Sequence, residues 1–212
     1  MEKEALEKML HAVEEIYNNH GMTEAIKQTC RYAIKNHEAE FCFELAQILY
    51  QEDIMEELQQ AVIDSNDTFY CCEFARYVEG ADIKALQQVV IDSGDAWDCY
   101  HFARRVKRAD IGALQQVVID SGDAWQCCDF AMWVEGADIK ALQQVVIDRG
   151  DAWLCYYFAR CVKGADIKAL LQVVIDGDNP ELCREFAYWI KGADKDKLSD
   201  AELSQQVKQL ED

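Results

Sequence analysis

No stretch of this 212-residue chain approaches the roughly 18 consecutive apolar residues of a membrane span, so no membrane segment is expected. The opening MEKEALEKML is acidic and amphipathic and lacks the apolar core of a secretory signal, which makes the cytoplasm the expected location. Histidine is scarce. His11, His20, His37 and His101 lie in unrelated contexts, and no Ser/His/Asp or Cys/His spacing suited to nucleophilic catalysis emerges. No glycine-rich phosphate loop is present, since each glycine is an isolated turn residue. The cysteines do not form the clustered pairs of a zinc site. With no secretory signal, they are expected as free thiols in a reducing compartment. These absences exclude the usual constellations of an enzyme, so no catalytic residue, metal or cofactor is expected. Positive charge is also short: 21 Lys and Arg stand against 40 Asp and Glu, a net charge of −19. Such a surface repels nucleic-acid phosphates and anionic lipid and favours basic partners.

What is present is repetition. Half of the residues are hydrophobic, enough for a core, which argues against a disordered acidic tail. ALQQVVIDSGDAWDCYHFARRV at 85–106 returns as ALQQVVIDSGDAWQCCDFAMWV, ALQQVVIDRGDAWLCYYFARCV and ALLQVVIDGDNPELCREFAYWI. The copies start at Asp82, Asp110, Asp138 and Asp166, a constant step of 28, and ELQQAVIDSNDTFYCCEFARYV at 57–78 is an earlier, more divergent copy. A fixed period of this size predicts stacked supersecondary units.

Each unit reads as two short helices. In the first, Ile83, Leu86 and Val90 share one face, widened by Val89 and Ile91. The SGD turn supplies Gly94 for the left-handed position and Asp95 as the next N-cap. In the last copy Asn179 takes the cap and Pro180 the first helical position. In the second helix Cys99, Phe102, Ala103 and Val106 form a single stripe. Gly80, Gly136, Gly164 and Gly192 then stop the helix before the next Asp cap. One such pair buries too few side chains, at roughly 1.5–3 kcal/mol each, to offset about 1–2 kcal/mol of backbone entropy per residue. Stacked copies share one core. The expected fold is therefore all-α, an α-solenoid of two-helix repeats with helical caps at both ends. Residues 1–53 are expected to hold an N-terminal cap and a degenerate repeat, 54–193 five repeats, and 194–212 a C-terminal capping helix opened by a capping box at Ser199 and Glu202.

Short helix pairs joined by Gly-Ala-Asp-like turns, as in FARRV…AD followed by ALQQVVID, resemble short HEAT-like repeats over roughly residues 54–193. That resemblance implies a scaffold or protein-binding role. A few such proteins handle DNA through a basic concave face, which the acidic balance of this chain does not match, and the resemblance carries no site residue across.

The first helices barely vary between copies, whereas the second helices vary at three columns facing away from the apolar stripe. They read Glu73, His101, Asp129, Tyr157, Glu185; Arg76, Arg104, Met132, Arg160, Tyr188; and Tyr77, Arg105, Trp133, Cys161, Trp189. Aromatic, Arg and Met residues are what interface anchors are made of. The expected partner-binding set is Tyr77, His101, Arg104, Arg105, Met132, Trp133, Tyr157, Arg160, Tyr188 and Trp189. Unconstrained drift is the alternative, but drift brings Lys, Glu and Ser rather than exposed Trp and Tyr. Phe69, Trp97, Trp125 and Trp153 form a further column, expected as a packing ladder, with a stacking platform as the alternative.

Asp64, Asp92, Asp120, Asp148 and Asp176 end the first helices, where the helix dipole disfavours negative charge. This acidic edge could cap the following turn, meet a basic partner or hold calcium weakly. Cys71, Cys99, Cys127, Cys155 and Cys183 are expected in the core, with Cys72, Cys128 and Cys161 off the stripe and open to exposure. The functional expectation is an acidic protein-binding solenoid that captures a basic protein as inhibitor, immunity factor or scaffold, without direct nucleic-acid or membrane binding. The alternative is a nucleic-acid mimic acting through the Asp rows. Oligomeric state is not legible.

Overall fold

The computed structural model describes residues 3–50 and 53–201. Among them the chain is all-α, with consecutive helix pairs packed against each other as in a helical solenoid. It divides into two compact units, Met1–Asp110 and Ile111–Asp212. The first holds α1 (Lys3–His20), α2 (Glu24–Lys35), α3 (Ala39–Ile48), α4 (Met55–Asp64), α5 (Thr68–Tyr77), α6 (Ile83–Ser93) and α7 (Ala96–Arg105). The second holds α8 (Ile111–Asp120), α9 (Ala124–Trp133), α10 (Ile139–Arg149), α11 (Ala152–Cys161), α12 (Ile167–Asp176) and α13 (Pro180–Trp189), followed by a helix that begins at 195.

Turn chemistry sets these boundaries. Asp82, Asp138 and Asp166 each accept two backbone N–H bonds from the helix they precede, and Asp95, Asp123 and Asp151 do the same for the second helices. Ser65, Ser93 and Ser121 tie the turn between the two helices. Each Oγ donates to the carbonyl three residues back at 2.6–2.7 Å and accepts the N–H of the cap Asp two residues on at 3.1–3.2 Å. Asn179 caps α13 with Pro180 at its start, as expected. The helix after Gly192 is capped by Asp194, whose carboxylate accepts from Lys197 N, so the expected cap at Ser199 is corrected: that residue is already helical. The repeat's own Gly-Ala-Asp turn starts the helix earlier than the Ser-x-x-Glu pattern would. Glu202 lies outside the described residues.

Within each unit the second helix of one pair packs most closely on the first helix of the next: α3 on α4, α5 on α6, α9 on α10, α11 on α12. Second helices also pack on one another, α3 with α5 and α7 with α5 in the first unit, α9 with α11 and α13 with α11 in the second. The core is a set of columns with the same repeat period. Leu58, Leu86, Leu114, Leu142 and Leu170 are fully buried, and so are the Val62 and Cys71 columns; the Phe74 column is at most 1% exposed. The cysteine column carries a recurrent contact, each Sγ lying 3.6–3.9 Å from the carbonyl of the Val nine residues earlier.

A buried glutamine joins neighbouring repeats. Gln87, Gln115 and Gln143 each accept the backbone N–H of the Asp that opens the next repeat, at 2.7–2.8 Å, and donate to that residue's carbonyl at 3.2–3.5 Å. Gln59 accepts from Asp82 N at 2.8 Å. In the last repeat this position is Leu171, also buried.

Candidate protein-binding face

The second helices turn Cys, Phe and Ala inward, which leaves the variable columns on the outer side or its shoulder. In the first unit, Tyr77, Arg104 and Arg105 are exposed and His101 is half-buried. Arg76 lies over the Tyr77 ring at 4.6 Å, and Arg104 donates to the hydroxyl of buried Tyr100 at 3.0 Å. Trp97 packs edge-on to His101 with centroids 4.2 Å apart. Between α5 and α7 a cavity of about 280 Å³ is lined by Thr68, Phe69, Cys72, Trp97, Asp98, His101 and Arg105. Its ends are polar: Thr68 donates to Asp98 at 2.6 Å, and Arg105 stands 3.6 Å from the Glu73 carboxylate.

In the second unit, Met132 and Tyr157 are half-buried while Trp133, Arg160, Tyr188 and Trp189 are exposed, Tyr188 at 75%. Arg160 donates to the Tyr156 hydroxyl at 3.0 Å and lies over the Trp189 ring at 5.1 Å, and Trp189 meets Tyr188 edge-on at 4.7 Å. Aromatic and guanidinium groups thus support one another on the outer faces of both units, which holds large apolar rings in water without collapse. The column expected as a packing ladder is half surface, with ring contact shown between its last two members. Trp125 and Trp153 touch at 5.5 Å, yet Phe69, Trp97, Trp125 and Trp153 remain about half exposed, between 47% and 57%.

Each position of the acidic edge has a local hydrogen-bond partner. Asp64, Asp92, Asp120, Asp148 and Asp176 each accept a hydrogen bond from the Gln one turn earlier, at 2.7–2.9 Å. Among the described residues no group of three or more His, Cys, Asp or Glu is placed to hold a metal ion. No helix among them is long and apolar enough to cross a membrane.

The cysteine expectation needs one correction. Cys72 and Cys128 are buried, because the flank of each second helix packs on the neighbouring second helix; only Cys161 of the ten is exposed. Burial pushes the thiols of Cys71, Cys99, Cys127 and Cys155 up to about 12, with Asp98 adding to the effect at Cys99 and a nearby cap Asp at the others. The thiolate is the reactive form, so these sites are inert at neutral pH. A chromogenic disulfide reagent is therefore expected to label Cys161 quickly and the other nine only after denaturation. Fast reaction of several thiols in native protein would contradict the buried columns.

Comparison of the chain with protein-family models, curated proteins and solved structures finds no match.

Proposed function

We propose that this protein is a non-enzymatic binding module, a cytoplasmic, HEAT-like stack of helix pairs that captures a basic protein with the outer faces of its second helices. It acts there as an inhibitor, an immunity factor or a scaffold. The carrying observation is the set of large exposed rings on a chain of net charge −19: Trp133 and Trp189 are 54% and 52% exposed, with Tyr188 beside Trp189. Rings of this kind, surrounded by charge, are what interface anchors are made of, and the negative field steers a basic partner towards them. Uniform first helices with diversified second helices support the same reading.

The test is capture by the tagged full chain from a cell extract, eluted by a salt gradient and identified by mass spectrometry. One stoichiometric basic protein released late is expected, with Trp133→Ala/Trp189→Ala reducing its capture by at least about tenfold. Replacing Asp92, Asp120 and Asp148 by Asn should matter little, because those carboxylates already serve Gln88, Gln116 and Gln144. Loss of capture with the Asn variant alone would instead support mimicry of a nucleic acid.

A further inference from the structure

The second unit carries a three-ring cluster on α9 and α11. Trp125 lies 5.5 Å from Trp153 and 5.8 Å from Tyr157, and Trp153 stacks on Tyr157 at 5.5 Å with planes 8° apart. Both tryptophans are about half exposed. Repeat register assigns carboxylates of α13, the helix packed on α11, to the same columns as the rings. The column that runs Trp125, Trp153 continues to Glu181, and Tyr157 stands in its own column between Asp129 and Glu185. Glu181 and Glu185 are exposed, and Tyr156 reaches Glu185 with its hydroxyl at 3.5 Å. Burial, followed by the neighbouring Cys161 and Asp129, pushes the Tyr157 phenol up, so it stays a neutral ring.

We infer that Trp125, Trp153 and Tyr157, framed by Glu181 and Glu185, form a seat for an arginine side chain of the partner. A guanidinium is flat and cationic. It stacks on an aromatic face, where the ring quadrupole attracts it, while its in-plane N–H groups reach carboxylates at the edge. A lysine ammonium is more strongly hydrated and has no plane to stack. A phosphate is repelled by the frame, and a purely apolar segment would strip water from the glutamates without replacing it. The molecule uses the same chemistry on itself: Arg160 lies over Trp189 and Arg76 over Tyr77. In the first unit Arg105 lines the cavity with Phe69 and Trp97 and faces Glu73 at 3.6 Å.

This inference deepens the binding role proposed above and names a different set of residues, so the two fail separately. Capped tetra-arginine, tetra-lysine and tetra-citrulline peptides are titrated into the full chain at about 150 mM salt, where long-range attraction is damped. Tetra-arginine is expected to bind roughly fivefold tighter than tetra-lysine, and tetra-citrulline far more weakly than either. Trp125→Ala/Trp153→Ala should erase the preference for arginine with an unchanged far-UV spectrum. Glu181→Gln/Glu185→Gln, which leaves the rings in place, should weaken tetra-arginine more than tetra-lysine. Equal binding of the two cationic peptides would overturn the seat, as would a preference that survives both variants. Binding of tetra-citrulline or an uncharged oligosaccharide as tightly as tetra-arginine would also overturn it. Should the arginine preference vanish while capture still depends on Trp133 and Trp189, the binding role stands and the seat falls. The reverse pattern sinks the role and leaves the seat.

Discussion

Phe158→Ala is expected to destabilise the chain by about 3–5 kcal/mol and to lower its Tm by roughly 10 °C. Phe158 is fully buried and belongs to the column Phe74, Phe102, Phe130, Phe158 and Phe186, one ring at the centre of every repeat. Close packing leaves a cavity when such a ring is removed, and the loss of contacts adds to the lost burial. The position of the repeat amplifies the effect. α11 packs on α9, α10, α12 and α13, so loosening it weakens the joints on both sides, and a stack held by nearest-neighbour contacts has no other source of stability. Thermal melts followed by far-UV circular dichroism provide the check, with Trp153→Ala as the control. That residue is 50% exposed, and its loss should cost clearly less, about 1–2 kcal/mol. A Phe158→Ala protein that melts no earlier than the Trp153→Ala protein would mean that the phenylalanine column is not the core.

Gln143→Leu should cost about 2 kcal/mol, although leucine has nearly the right size and is more apolar. Gln143 is 4% exposed, accepts from Asp166 N at 2.7 Å and donates to Asp166 O at 3.2 Å. Leucine removes both bonds and leaves a peptide N–H and a carbonyl facing a hydrocarbon side chain. An unmade bond of that kind costs more than the apolar gain returns. The neighbouring Gln144→Leu loses one exposed bond to Asp148 and should shift stability by less than about 0.5 kcal/mol. Denaturant melts of the two variants, run side by side, discriminate a joint from a surface contact. Equal midpoints would reduce the buried glutamine to a space-filler.

The helices were legible because their ends are written in side chains that bond the backbone locally. Asp82, Asp138 and Asp166 open α6, α10 and α12, and Asn179 with Pro180 opens α13, where the sequence places them. The exposed rings of the variable columns were legible for a similar reason: an apolar stripe on one side of a helix assigns the other side to solvent. What escaped depends on neighbours beyond one helix. A stripe counts the face turned towards a single partner, whereas α5 and α9 also press on the second helix of the next repeat, so Cys72 and Cys128 are buried on the flank. The Gln87 column resembles its exposed neighbour Gln88 in type, and only the substitution at Leu171 hinted that one is inside. The partner of the Asp92 row escaped because Gln88 lies one turn earlier in a stretch that otherwise reads as packing.

The glutamine joint has a direction. Each internal repeat offers an amide forward and receives one on the backbone of its opening aspartate, so it carries both halves of the same coupling. Adding or removing one whole 28-residue internal repeat leaves no coupling half unmatched, whereas a change of any other length strands one. Leu171 offers nothing forward and closes the series. The length of the stack, and with it the count of exposed second-helix faces, can thus change in whole units while the joint itself stays constant.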